Sequence, residues 1–272
     1  MILELTALAL LTCSSRIHEG WGFLCDTYSD FSMTVWGLFC SLVVGYFLGC
    51  VPYLLLDFLK IPFFEKYKVQ MTRYPSKANL EKCCLNLFVL FFFVMLPMIA
   101  FSYPLFKSIG VSREAPLPSA FTVILQVLFF FLVEDFGNYW LHRWLHTSWA
   151  YKNIHFVHHE YSAPFALAAT YAHPLEVVIL GIPTFAGPVV VGPHLFTLWV
   201  WLMMRQYEAV DIHSGYEFPW NLNCFLSFYG GTEHHDYHHY LYSGNYASIF
   251  TWCDAIYGTN LSYKMRKYSR DC

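Results

Sequence analysis

The chain has 272 residues, of which 57% are hydrophobic, 20% aromatic and only 13% charged, with a formal charge of -3. A water-soluble domain carries about 25% charged residues, so the composition argues against a soluble globule, a disordered chain and a coiled coil. The absence of a basic field argues against a nucleic-acid binder. A multi-span membrane protein fits instead, with lipid covering what polar side chains would otherwise cover.

In chain order, the opening Met-Ile-Leu-Glu lacks the basic start of a cleaved signal, so residues 1–32 are expected to be retained as a divergent N-terminal segment. Three stretches, 33–56, 84–105 and 120–141, are each apolar over the roughly 20 residues a helix needs to cross a bilayer core. A fourth, 175–204, is too long for one straight span and is interrupted by Pro183, Gly187, Pro188, Gly192 and Pro193, which predicts two short helices forming a hairpin. The expected architecture is an all-α membrane protein. Residues 33–141 form its transmembrane region, and residues 142–272 form a catalytic region that includes the hairpin and a cytosolic, histidine-rich, di-metal part.

Loop charge sets the orientation. Residues 57–83 carry Lys60, Lys66, Lys68, Arg73, Lys77 and Lys82, whereas 106–119 carry only Lys107 and Arg113, so the first loop is expected in the cytosol. The third span then ends in the cytosol at His142. Crossing the fourth region an even number of times keeps everything from Arg205 onward there too, including the basic tail Lys264, Arg266, Lys267 and Arg270. The nine cysteines contain no Cys-x-x-Cys, which argues against a disulfide framework and a zinc ribbon.

Thirteen histidines are the unusual feature, and eight of them fall into three groups: His142 and His146; His155, His158 and His159; His235, His238 and His239. On a helix, residues three or four apart share a face, so each group can aim imidazoles at a metal. Eight rings exceed the four ligands of one tetrahedral zinc and suffice for two metals. His173 and His213 flank the predicted hairpin at its cytosolic ends and are additional candidates. His18 and His194, each alone, read as ordinary core or surface residues. Asp135 and Asn138 lie seven and four residues before His142, where a carboxylate or amide can fix a ligand's tautomer, and Asp236 sits inside the third group. These three are candidate supporting partners. Imidazole suits iron, copper, zinc and nickel alike; paired imidazole-rich metals beside a lipid-facing cavity point toward dioxygen chemistry, which zinc does not perform. Trp140, Trp144, Phe156, Tyr161, Phe165 and Trp220 are available to line a slot for an apolar substrate.

The words around these histidines carry a resemblance. Glu134-Asp-Phe-Gly-Asn-Tyr-Trp-Leu-His-Arg, His155-Phe-Val-His-His-Glu-Tyr-Ser-Ala-Pro, Tyr171-Ala-His-Pro, His213-Ser-Gly-Tyr-Glu-Phe-Pro-Trp and Tyr229-Gly-Gly-Thr-Glu-His-His-Asp-Tyr-His-His resemble the fatty acid hydroxylase/sterol desaturase superfamily. Within it they are most similar to the sterol 4α-methyl oxidase family in its plant form. The resemblance implies an endoplasmic-reticulum enzyme holding two non-haem irons and using O2. Its electrons would come from NAD(P)H through cytochrome b5 and its reductase. It would oxidise the C-4 methyl of a 4,4-dimethyl or 4-methyl sterol through alcohol and aldehyde to carboxylate, ahead of a C-4 dehydrogenase/decarboxylase. The ligands it implies are the eight box histidines with His173 and His213, and it needs no separate catalytic acid or base. A hydroxylase, desaturase or aldehyde-deformylating oxygenase would use the same scaffold. A bis-histidine haem protein would instead place histidines on facing membrane helices, and a metal transporter would need charged residues at mid-membrane.

Overall fold

The computed structural model describes residues 15–261, so the retained-leader reading of the first residues and the basic tail lie outside the described residues. Seven helices carry the fold: α1 (Ser15–Thr27), α2 (Asp30–Leu59), α3 (Lys77–Ser108), α4 (Ala120–Leu145), α5 (Pro174–Val191), α6 (Leu195–His213) and α7 (Gly231–Leu241). Among the described residues there is no β-strand, only two isolated bridges. Four helices, α2 to α5, are long and apolar enough to cross a membrane.

Serine hydroxyls fix where the spans begin. Ser29, Ser76 and Ser119 each accept a backbone N–H three residues on, at the starts of α2, α3 and α4, satisfying one of the donors a helix leaves open. α3 is continuous but passes through one π-helical turn at Phe91–Met95, directly before Pro97. Such turns absorb an extra residue without ending a helix. Met95, Met98 and Ile99 then face an internal cavity.

The expected hairpin is present, with longer arms than its prolines suggest: 18 residues in α5 and 19 in α6. Pro183 and Pro188 stay inside α5, and the chain reverses at Gly192, which takes the left-handed conformation (φ 58°) at the helix end. A β-carbon there would also meet the Ile109 carbonyl oxygen at 2.3 Å, so glycine is required twice over. The turn packs against the 109–114 loop: Leu195 N–H donates to the Ser112 carbonyl, and His194 Nε2 is 3.1 Å from that of Glu114. Both far ends of the hairpin return to the histidines, which satisfies the even-crossing requirement.

Small residues let these helices approach closely. A β-carbon on Gly45 of α2 would lie 2.7 Å from Met203 backbone atoms of α6, and one on Gly137 of α4 would lie 2.6 Å from Pro183 of α5. This is the packing used where lipid supplies no hydrophobic drive between helices. The outward faces remain apolar, with Phe47, Leu48, Phe58, Phe93, Phe101, Phe121 and Ile182 among the exposed side chains.

Candidate metal centre

Nine imidazoles meet at one end of the bundle, in two groups. The first contains His142, His146, His155, His159 and His238; the second contains His158, His213, His235 and His239. The last turn of α4 supplies His142, and its C-cap is His146. A 3₁₀ segment, His155–Glu160, supplies three rings, α7 supplies three more, and His213 is the last residue of α6. Neither three-histidine box serves one site. His155 and His159 turn to the first group and His158 to the second, while His235 and His239 turn to the second and His238 to the first.

In the first group, Nε2–Nε2 separations are 3.1 Å for His142–His155, His155–His146, His155–His159 and His159–His238, and 3.2 Å for His146–His238. In the second they are 3.3 Å for His158–His213, 2.9 Å for His213–His235 and 3.2 Å for His235–His239. Two nitrogens about 2.1 Å from a common metal and at right angles to each other stand about 3.0 Å apart. The observed separations match that spacing.

The tautomers follow from the opposite side of each ring. Nδ1 of His142 is 2.8 Å from the Tyr246 carbonyl oxygen, His158 3.1 Å from that of Tyr171, His213 2.7 Å from that of Ala209, and His238 2.7 Å from that of Gly244. A carbonyl only accepts, so these rings carry their proton on Nδ1 and turn an Nε2 lone pair inward. His155 Nδ1 lies 2.9 Å from the buried Glu176 carboxylate. Between His158 and His213, both fixed by a carbonyl in this way, two lone pairs face each other at 3.3 Å in a dry interior and call for a cation, and the donor set fits a pair of divalent metals. Burial, reinforced by neighbouring imidazoles, holds His155, His159, His235, His238 and His239 well below the usual histidine range, and burial pushes His158 down to about 4. The rings are therefore neutral and ready to ligate near neutral pH.

His173 is in neither group. It is the N-cap of α5, its Nδ1 accepting the Leu175 N–H at 3.1 Å. Of the candidate supporting partners, Asp135 and Asn138 hold groups other than a ring. Asp135 accepts from the Ile249 and Phe250 N–H groups and from the Trp252 indole (2.9, 3.0 and 2.7 Å), so it pins the segment after α7 to α4 instead of holding a ring. Asp236 accepts from Gln70, and Asn138 donates to Glu134. The partner that the sequence reading missed is Glu176. Its one signal is position, an acid in the first turn of an otherwise apolar helix.

A cavity runs from the histidines into the bundle. His142, His155, His158, His213 and His235 line one end; Leu42, Met95, Met98, Ile99, Phe185 and Leu202 line the apolar remainder. Near the histidines its wall includes Asn138, Glu176 and Arg205. None of the six aromatic residues named from the sequence lines it; Trp220 lines a second cavity beside α2 and α6.

The fatty acid hydroxylase family profile matches residues 127–259, which span every one of these histidines. The chain is 44% identical to methylsterol monooxygenase 2-2 of Arabidopsis thaliana, over 93% of this chain and 96% of that protein. It is 44% identical to very-long-chain aldehyde decarbonylase GL1-11 of Oryza sativa subsp. indica, with the same coverage. It is also 44% identical to a putative methylsterol monooxygenase of Dictyostelium discoideum, over 94% of each. No solved structure matches the chain. A helical membrane bundle with a polyhistidine centre at one end defines a membrane oxidoreductase, and the chain belongs to the fatty acid hydroxylase family.

Proposed function

We propose that the protein is a sterol 4α-methyl oxidase that converts the C-4 methyl group of a 4,4-dimethyl or 4-methyl sterol to a carboxylate through alcohol and aldehyde. The single observation that carries this is the cavity: a largely apolar slot within the membrane helices that ends on both imidazole groups. The methylsterol monooxygenases among the relatives supply the substrate class.

Two iron ions, one in each imidazole group, would supply dioxygen activation. The protein's own contribution is arrangement. Four backbone carbonyls and Glu176 face the Nδ1 atoms of five of the nine neutral rings and keep those five aimed inward, in a centre without an anionic ligand. The apolar wall holds the hydrocarbon and excludes water, so a reactive group meets C–H bonds rather than solvent. No side chain is assigned as general acid or base.

We infer a site at the cytosolic face of the endoplasmic-reticulum membrane, a reading supported by the basic 57–83 loop and by the methylsterol monooxygenases among the relatives. Sterol enters laterally from the bilayer. Electrons come from NAD(P)H through cytochrome b5 and its reductase, and the carboxylate passes to a C-4 dehydrogenase/decarboxylase.

A second reading has its own support, because aldehyde decarbonylases appear among the relatives at the same identity. Membranes containing the protein, supplied with O2 and NADH, separate the two. A 4,4-dimethylsterol is expected to yield the 4α-carboxylic acid, and a very-long-chain aldehyde is expected to be left unchanged. Conversion of the aldehyde alone would overturn the sterol assignment.

A further inference from the structure

Asn138 sits one helical turn before His142 on α4, is 5% exposed, and lines the cavity beside the histidines. Its side-chain nitrogen donates to Glu134, which also accepts from Arg205 Nε at 2.7 Å. Arg205 is in turn held by Glu208 at 2.9 Å and by the Ser248 hydroxyl at 3.0 Å. A carboxylate paired with a guanidinium is acceptor-only, so it dictates which way the amide lies. The amide NH2 is committed to Glu134, and Oδ1 is left buried with no partner in the protein. A buried acceptor without a donor costs about 1–3 kcal/mol, so an unfilled carbonyl at the reactive end of a substrate cavity calls for a donor on the substrate.

Resting on the sterol reading above, we propose that Asn138 is the positioning residue that accepts a hydrogen bond from the substrate's ring hydroxyl, and that the site thereby selects 3-hydroxysteroids over 3-oxosteroids. Every sterol carries a hydroxyl on C-3, the carbon next to C-4. That oxygen and an equatorial methyl carbon on C-4 are three bonds apart and gauche, about 3 Å from each other. A group that binds the hydroxyl must therefore stand next to the metal centre rather than at the far end of the slot. Asn138 has that position, whereas Leu42, Met98, Ile99 and Phe185 elsewhere in the lining are hydrocarbon. A ketone at C-3 has no hydrogen to donate and would set two carbonyl oxygens against each other.

The test is equilibrium binding under nitrogen, with the full-length, metal-loaded protein in detergent and three radiolabelled ligands: a 4,4-dimethyl-3β-hydroxysterol, its 3-deoxy analogue and its 3-oxo analogue. Wild type is expected to bind the hydroxysterol roughly tenfold or more tightly than either analogue, the worth of one well-placed hydrogen bond at a buried acceptor. In Asn138→Ala the hydroxysterol should weaken to within about twofold of the deoxy analogue, with affinity for the deoxy analogue unchanged. Equal binding of all three by wild type overturns the proposal even if every variant misfolds, and so does an Asn138→Ala protein that keeps its preference or loses all three ligands in parallel. Failure of wild type to bind any of the three overturns the sterol reading itself, a result distinct from equal binding.

Discussion

An imidazole whose Nδ1–H is given to a carbonyl has one lone pair left, and in this protein those lone pairs point at one another. Glu176 stands 2.9 Å from Nδ1 of another ring, His155, so Glu176→Gln should lower the metal affinity of the first group by about 10–100-fold, read by competition with a chelator. An unchanged affinity would show that the carboxylate does not support His155. His213→Ala removes one donor of four and should cost activity on the order of 100-fold or more, while the equivalent change at His173, the helix cap, should leave metal content intact. The pH dependence has a definite sign. His158 titrates near 4 in the fold and near 6.5 in an unfolded chain, so between those values the unfolded chain binds a proton that the native site refuses. Stability of the metal-free protein should therefore be intact above about pH 6.5 and fall as pH drops toward 4, as measured by denaturant unfolding at fixed ionic strength. The box histidines were legible because their spacing repeats. Their division between two groups was not, because a shared helical face assigns i, i+3 and i+4 together, whereas in both the 3₁₀ segment His155–Glu160 and the α-helix α7 the i and i+4 rings join one group and the i+3 ring turns to the other. Glu176 was hidden for another reason: it reaches His155 across the fold, and no local pattern encodes a contact between residues 21 apart.

Helices α2 and α6 pack because Gly45 lies against the Met203 backbone, and α4 and α5 because Gly137 lies against Pro183. Gly45→Val would force these helices apart or strain them, at a cost of about 1–3 kcal/mol. The midpoint of thermal unfolding in detergent should fall by several degrees, whereas Gly20→Ala, with open space around it, should leave the midpoint unchanged or slightly raised. An equal effect of both would mean that close helix approach is not what these glycines provide. Since backbone groups in lipid must pair within one helix, the spanning helices were readable from hydropathy to within four residues at each end, except that α3 begins at Lys77, seven residues before the expected span. The hairpin's corner was less so. Five residues in 175–204 are potential breakers, but a proline inside a membrane helix is tolerated when neighbours cover the freed carbonyl, and only the turn at Gly192 reverses the chain. The extension of α6 to His213 is what carries that ring into the second group.

Across the whole molecule, the exposed apolar faces of the spanning helices and the gathering of the histidines at one end describe an enzyme that takes its substrate from lipid. The loop charges predict the sidedness: an N-glycosylation acceptor sequence introduced into the 106–119 loop should be modified in microsomes, and one introduced into 57–83 should not. The reverse pattern would place the centre on the luminal side. On the proposed function, two groups of neutral imidazoles, drawn from four separate parts of the chain, would hold two iron ions. The most direct test of that reading is elemental analysis of the full-length protein purified from iron-replete cells, read alongside its absorption spectrum. Two irons per chain and no Soret band are expected. A single metal per chain, zinc in place of iron in active protein, or a haem spectrum would contradict it.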